Sequence, residues 1–228
     1  MIEELLPDAV VTVEANGDEP IEGAALYPEE EALIARAVEK RRREFTAVRA
    51  CARRAMDKLG VPPQPVLTGD RGAPQWPDGL IGSMTHCEGY AAAALARATD
   101  LASLGIDAEP HLPLPEGVLS SVSLPAEDAR LRALASGHPA VHWDRLLFSA
   151  KESVYKAWFP LTRKWLDFTE ADIKVGLAPG RTTSGAFRAR LLVPGPVVDG
   201  RRVDHFDGRW TVGRGLVATA VAVSYDRG

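Results

Sequence analysis

The chain has 228 residues, of which 46% are hydrophobic and 25% charged, and a net charge of −4. This is the make-up of a globular protein with a real core, long enough for one domain or two small ones. The acid excess argues against a general nucleic-acid binder. No apolar stretch is long enough to span a bilayer, and the acidic start Met1-Ile2-Glu3-Glu4-Leu5-Leu6-Pro7 lacks the basic residues of a secretory signal. The two cysteines, Cys51 and Cys87, fall in no disulfide or metal pattern. A cytoplasmic protein without membrane association is expected.

In chain order, the apolar run Ala9–Val13 predicts a strand within residues 1–28, followed by the turn signal Asn16-Gly17. A long helix is predicted from Pro28 to about Leu59, stopped by Gly60 and Pro62-Pro63. Ile34, Val38, Phe45, Val48, Ala52, Met56 and Leu59 form its apolar stripe. Residues 60–80 read as a loop rich in proline and glycine. Strands are predicted at Leu80–Thr85, Tyr90–Arg97 and Ser103–Glu109, and a second loop at 110–125. Helices follow at about 125–136 and 142–159, then antiparallel strands at Ile173–Gly176, Phe187–Val193 and Leu216–Ser224. The order helix, strands, helix, strands predicts an α+β fold in two halves, whose sequences show no visible repeat.

Two acidic features stand out. Alternation in an extended segment puts Asp107 and Glu109 on one side and Leu104 and Ile106 on the other. In the second predicted helix of the C-terminal part, Glu152 and Lys156 are four residues apart and share a face. Trp143, Leu146, Leu147, Ala150, Val154, Ala157 and Trp158 form that helix's apolar stripe, opposite Arg145, Ser149, Glu152 and Lys156. Periodicity leaves open whether this polar side meets solvent, as an ion pair contributing about 0.3–0.5 kcal/mol, or a cleft. Phe148, Tyr155 and Phe159 flank it and favour the cleft. Three carboxylates and a lysine can converge there on a divalent cation and a phosphate, since Mg²⁺ prefers a few carboxylates and keeps positions for phosphate oxygens.

The basic run Lys40-Arg41-Arg42-Arg43, with Arg49, Arg53 and Arg54, reads as a solvated helix face or as a nucleic-acid surface. At 100° per residue, Arg41 falls inside the apolar stripe and Arg49 at its edge, costly places for a guanidinium unless it meets an anion such as phosphate. Thr85 and His86 end a strand-like segment, a common place for binding residues. His86 and Cys87 are strand neighbours facing opposite sides, which argues against a nucleophilic pair.

Together, Gly105-Ile106-Asp107-x-Glu109 and Lys151-Glu152-x-x-x-Lys156 resemble the signature of the phosphopantetheinyl transferases. Length and motif order resemble the single-chain, pseudo-dimeric, actinobacterial-like branch that serves secondary-metabolite and lipid carrier proteins. Gly82-Ser83-Met84-Thr85-His86-Cys87 resembles the family's nucleotide-contacting Ser/Thr-His element, and Gly69-Asp70-Arg71-Gly72-Ala73-Pro74 its Gly-x-(Lys/Arg)-Gly-x-Pro loop. The resemblance covers about Arg41 to Trp165. It implies two similar α+β halves, here 1–105 and 106–228, related by a pseudo-twofold axis, with the active site in the cleft between them. It also implies Mg²⁺, or Mn²⁺, on Asp107, Glu109 and Glu152. Coenzyme A is then expected on Arg41, Arg49, Arg71, Thr85, His86 and Lys156. Many relatives carry a further lysine near the glycine loop, where this chain has Thr68 and Ala73, so Arg71 is expected to take that phosphate contact. Similar segments to Phe159–Phe168 line the pantetheine arm and the carrier dock in the family; a loop packing Trp165 and Phe168 into the core explains it equally.

The implied activity is transfer of 4′-phosphopantetheine from coenzyme A to a serine of an apo acyl or peptidyl carrier protein, releasing adenosine 3′,5′-bisphosphate. Catalysis would rest on Asp107, Glu152 and Lys156 in a monomer, with Glu152 as base, metal ligand or both. A metal-dependent phosphoesterase or nucleotidase would use the same carboxylates on water, and a nucleic-acid module would use the basic helix.

Overall fold

The computed structural model describes residues 1–17, 21 and 24–225. Strand β1 (Val11–Asn16) is followed by helices α1 (Pro28–Leu33) and α2 (Glu39–Lys58). A small hairpin, β2 (Leu67–Thr68) and β3 (Pro74–Gln75), precedes the longer strands β4 (Leu80–Cys87), β5 (Tyr90–Arg97) and β6 (Leu101–Pro110). Helices α3 (Val118–Val122), α4 (Pro125–Gly137) and α5 (Trp143–Thr162) come next. The chain ends in β7 (Ala171–Leu177), β8 (Ser184–Leu191), the short pair β9 (Val197–Val198) and β10 (Arg201–Arg202), β11 (His205–Gly213) and β12 (Leu216–Ser224).

The architecture is α+β, as expected. One antiparallel sheet has the order β1-β5-β4 and a larger one the order β6-β12-β11-β8-β7. Strand β6 belongs whole to the larger sheet, paired with β12 from Leu101 to Pro110, so the expected division at 105/106 falls inside a strand.

Both faces of β5 are covered. Ala91, Ala93 and Leu95 pack on Val48, Cys51, Ala52, Ala55 and Met56 of α2. Ala92, Ala94 and Ala96 pack with Ile2, Leu5 and Leu6 against Leu104 and Ile106. The predicted stripe of α5 is buried on Ile173, Phe187, Phe206 and Trp210.

Strands β4 and β6 lie side by side without a backbone ladder. Two hydroxyls replace it: Ser83 Oγ accepts from the Ile106 N–H (3.1 Å) and Thr85 Oγ1 from the Ala108 N–H (3.0 Å). Alternation on both strands makes this possible, since residues i and i+2 of each face the other.

The single long helix expected over Pro28–Leu59 is corrected to two. Val38 is extended (φ −65°, ψ 156°) and 73% exposed, so it does not belong to the apolar stripe. Arg42 Nη1 donates to Ile34 O (2.9 Å), capping the end of α1. The three strands expected in the tail become four long ones with β11, joined by the short pair β9 and β10, and the expected loops contain α3 and the β2–β3 hairpin.

Candidate active site

The site lies where α5 crosses β6, with β4 alongside that strand. Gly105 sets the approach. A Cβ there would overlap Ser153 O and come within 2.7 Å of Ala157 N, so the backbone of α5 rests directly on the strand. Ser103 Oγ donates to Ala157 O (2.7 Å) two residues earlier. This contact brings Glu152 and Lys156 over Asp107. The polar side of α5 is therefore covered by β6 and β12: Ser149 is fully buried, with its hydroxyl 3.0 Å from that of Thr219, the residue registered with Asp107.

Asp107 is 4% exposed. Its Oδ1 accepts from Lys156 Nζ (2.8 Å) and, over a longer 3.4 Å, from the Thr85 hydroxyl, while Oδ2 is buried without a partner. Lys156 Nζ also donates to Ile106 O (3.1 Å). Burial pushes the Glu152 carboxyl above the usual carboxylate range; Lys156 opposes the shift and Asp107 adds to it. Burial and Asp107 likewise raise Glu109, against Arg145, whose Nη1 donates to Glu109 Oε2 at 2.9 Å.

The expected coenzyme A contacts fall into two groups. Arg41 and His86 meet at the mouth of the site: Arg41 Nη1 lies 2.7 Å from His86 Nε2, and Glu44 is 3.4 Å away. Burial, then Arg41, holds His86 below its ordinary value. Arg71 is exposed, in a left-handed conformation (φ 53°), with its guanidinium 5.4 Å from the Trp165 ring centroid. Arg41 is exposed, not core-facing as the helical wheel predicts, because it lies in the first turn of α2, ahead of Phe45, where burial of the helix begins. Arg49 is the buried one, 5% exposed. It donates to Val66 O (3.1 Å) and Thr68 Oγ1 (3.3 Å) and lies 4.0 Å from Glu30, and burial lowers it to about 10. Its anion inside the fold is Glu30. Thr85 is buried beneath Asp107.

The basic run is engaged within the chain: Arg42 with Ile34 O, Arg43 with Glu39, and Arg53 with both oxygens of Glu30. Cys87 is pushed up to about 12 by burial and the carboxylates around it, so it holds no thiolate at neutral pH. The Tyr155 ring packs at a tilt against Trp165 and Phe159, with centroids 5.0 and 5.9 Å away, and lines a cavity of about 100 Å³ with Glu152, Trp165 and Phe168. Trp165 is 52% exposed, so it is not packed into the core.

Sequence reasoning missed three contributors. Arg145, seven residues before Glu152, stands on the same polar stripe, yet only the structure pairs it with Glu109. Ser83 and Thr219 carried no signal beyond small polar residues in apolar strands. Lys151, though part of the quoted motif, points away: it is buried on Glu127 (2.9 Å), Phe168 O and Ala171 O, and ties α5 to α4.

Two family models cover most of the chain. Residues 29–96 match the 4′-phosphopantetheinyl transferase N-terminal domain, and residues 103–191 match the 4′-phosphopantetheinyl transferase superfamily. The chain is 59% identical to the 4′-phosphopantetheinyl transferase Svp of Streptomyces mobaraensis, over all of this chain and 91% of that protein. It is 52% identical to PptT of Mycobacterium tuberculosis (88% of this chain, 87% of that one) and 51% to Npt of Nocardia iowensis (97% and 99%).

The chain belongs to the 4′-phosphopantetheinyl transferase superfamily. Asp107, Glu109, Glu152 and Lys156 of this transferase lie in the superfamily match, and Arg41, Arg49, Arg71, Thr85 and His86 in the N-terminal one. Among the described residues no helix is long and apolar enough to cross a membrane.

Also among the described residues, no three carboxylate, histidine or cysteine side chains stand close enough to grip a metal ion as they are. Glu109 is turned to Arg145, and Asp107 Oδ1 is taken by Lys156. Even so, a buried, unpartnered Asp107 Oδ2 beside two carboxyls that burial, and then Asp107, push toward protonation is an arrangement a hard divalent cation relieves. The residues fit such an ion.

Proposed function

We propose that this transferase moves the 4′-phosphopantetheine arm of coenzyme A onto a serine hydroxyl of an apo acyl or peptidyl carrier protein. Adenosine 3′,5′-bisphosphate leaves. The observation that carries this is Lys156 and Glu152 seated over Asp107 by the Gly105 contact, in a chain that shares its whole length with a relative named for the activity.

Asp107, Glu109 and Glu152 would hold Mg²⁺ or Mn²⁺, which when bound neutralises the pyrophosphate and stabilises charge built up during transfer. Arg41 and His86 fit the 3′-phosphate at the mouth of the site, and Arg71 a phosphate from the glycine loop, as guanidinium forks match phosphate oxygens. Arg49 acts behind them, holding Thr68 and with it the β2–β3 hairpin that carries Arg71. Tyr155 and Trp165, with the buried Phe159 behind Tyr155, offer the pantetheine arm an aromatic wall.

Serine is a weak nucleophile at neutral pH and needs a base. Glu152, whose proton affinity is raised by burial, takes the hydroxyl proton. The serine oxygen forms a bond to the β-phosphorus, and the bond from that phosphorus to the bridging oxygen breaks. Lys156 stabilises the charge gathering on the departing phosphate. We further propose that the two halves, one built on β1-β5-β4 with α2 and the other on the larger sheet with α5, are related by a pseudo-twofold axis. The chain then works as a cytoplasmic monomer.

Release of adenosine 3′,5′-bisphosphate, measured with and without an apo carrier, tests the reaction. Release only with the carrier is expected. Equal release without it would assign the carboxylates to a hydrolase acting on water.

A further inference from the structure

Asp107 presents its two oxygens unequally, and Thr85 is part of the cause. The Thr85 hydroxyl has one proton and accepts from the Ala108 N–H at 3.0 Å. With that acceptor position used, its proton is directed to Asp107 Oδ1, 3.4 Å away. Lys156 Nζ reaches the same oxygen at 2.8 Å. Oδ1 is thus held by two donors from opposite walls of the cleft, β4 and α5, while Oδ2 is buried with none.

We infer that Thr85 is a positioning residue, which holds Asp107 so that Oδ2 is left open to a divalent cation, and that it does not itself touch the nucleotide. This rests on the metal-dependent transfer proposed above. Thr85 is 3% exposed and both its hydrogen-bonding roles are used inside the chain, leaving none for a phosphate. Partners of this outer kind orient metal-binding carboxylates, and their loss costs about 10–100-fold in metal affinity or activity.

The same strand supplies an internal control. Ser83, two residues earlier on the same face of β4, is also buried and accepts the equivalent bond from the Ile106 N–H, but among the described residues it makes no hydrogen bond to Asp107. A hydroxyl that only joins the two strands should behave alike at both positions. A hydroxyl that orients Asp107 matters at 85 alone.

The experiment measures Mn²⁺ binding to the full chain with coenzyme A present, by the loss of the free-ion EPR signal. It is combined with coenzyme A affinity in EDTA and with kcat and KM. Thr85→Val is expected to weaken Mn²⁺ by about 10–100-fold and to lower kcat, with coenzyme A affinity in EDTA unchanged. Thr85→Ser restores most of the loss, and Ser83→Ala leaves Mn²⁺ affinity as in the parent even if it melts earlier. Should Thr85→Val not fold, Thr85→Cys, which keeps the volume and only a weak donor, is read the same way. Equal losses of Mn²⁺ affinity in Ser83→Ala and Thr85→Val would overturn the inference. So would a Thr85 variant that binds coenzyme A weakly in EDTA but Mn²⁺ normally, because that marks a nucleotide contact. Failure of the parent chain to bind Mn²⁺ would overturn the metal-dependent reaction itself.

Discussion

Glu152 stands in the most divided environment of the site: burial and Asp107 favour its acid form, Lys156 its anion. A group so placed suits proton transfer, and its amide cannot accept the proton. Glu152→Gln is expected to lower turnover by about 10²–10⁴-fold while coenzyme A binding, measured by calorimetry, stays within several-fold. Full activity in that variant would remove Glu152 from the mechanism. His86 gives a second check at this scale. Burial and Arg41 make it harder to protonate in the folded chain than in the unfolded one, where it titrates near 6.5. As pH falls below 6.5, the unfolded chain takes up the proton first, so stability is lost on acidification. Melting curves of His86→Gln should show a shallower loss between pH 7 and 5, with a residual slope from His111, which burial shifts the same way. Strand and helix periods put Asp107, Glu152 and Lys156 on defined faces, but that these faces meet was legible only through the resemblance, since periodicity left solvent and cleft open. Arg49 was legible only as a buried cation in need of an anion. That the anion is Glu30, nineteen residues earlier on another helix, depends on a chain reversal no local pattern records.

Helix α5 carries the chemistry, and the smallest residue of β6 decides where it lies. Gly105→Ala would press a methyl group into the backbone of α5 at Ser153 and Ala157, with no flexible side chain to give way. Overpacking of this kind costs about 3 kcal/mol or more, which for a chain of this size lowers Tm by roughly 6–12 °C. The same shift lifts Lys156 from Asp107, so activity should fall further than stability accounts for. Calorimetry and transfer assays on the folded variant, well below its Tm, separate the two. An unchanged Tm would mean that α5 does not rest on this strand. The elements the sequence hid share one cause. The break between α1 and α2 has no glycine or proline to mark it and is made by Arg42 capping Ile34 across the gap. In β11 the inward positions are Phe206, Gly208 and Trp210; the glycine, needed beneath the Phe187 ring, interrupts the apolar alternation. Tertiary contacts, not local preference, set both boundaries.

At the scale of the molecule, the two sheets meet through side chains. Because β6 gives β4 two amide-to-hydroxyl bonds and no ladder, the carboxylates of one strand lie against Thr85 and His86 of the other, and α5 closes the cleft from above. The α+β class was legible from the order of predicted elements, but the seam was not, since Ser83 and Thr85 look like ordinary strand residues until β6 is placed beside them. The central claim is the transfer itself. Intact mass spectrometry of an apo carrier protein incubated with this chain, coenzyme A and Mg²⁺ tests it most directly. The predicted result is a gain of one phosphopantetheine arm, lost with EDTA or when the carrier's serine is changed to alanine. An unmodified carrier with coenzyme A consumed would contradict it.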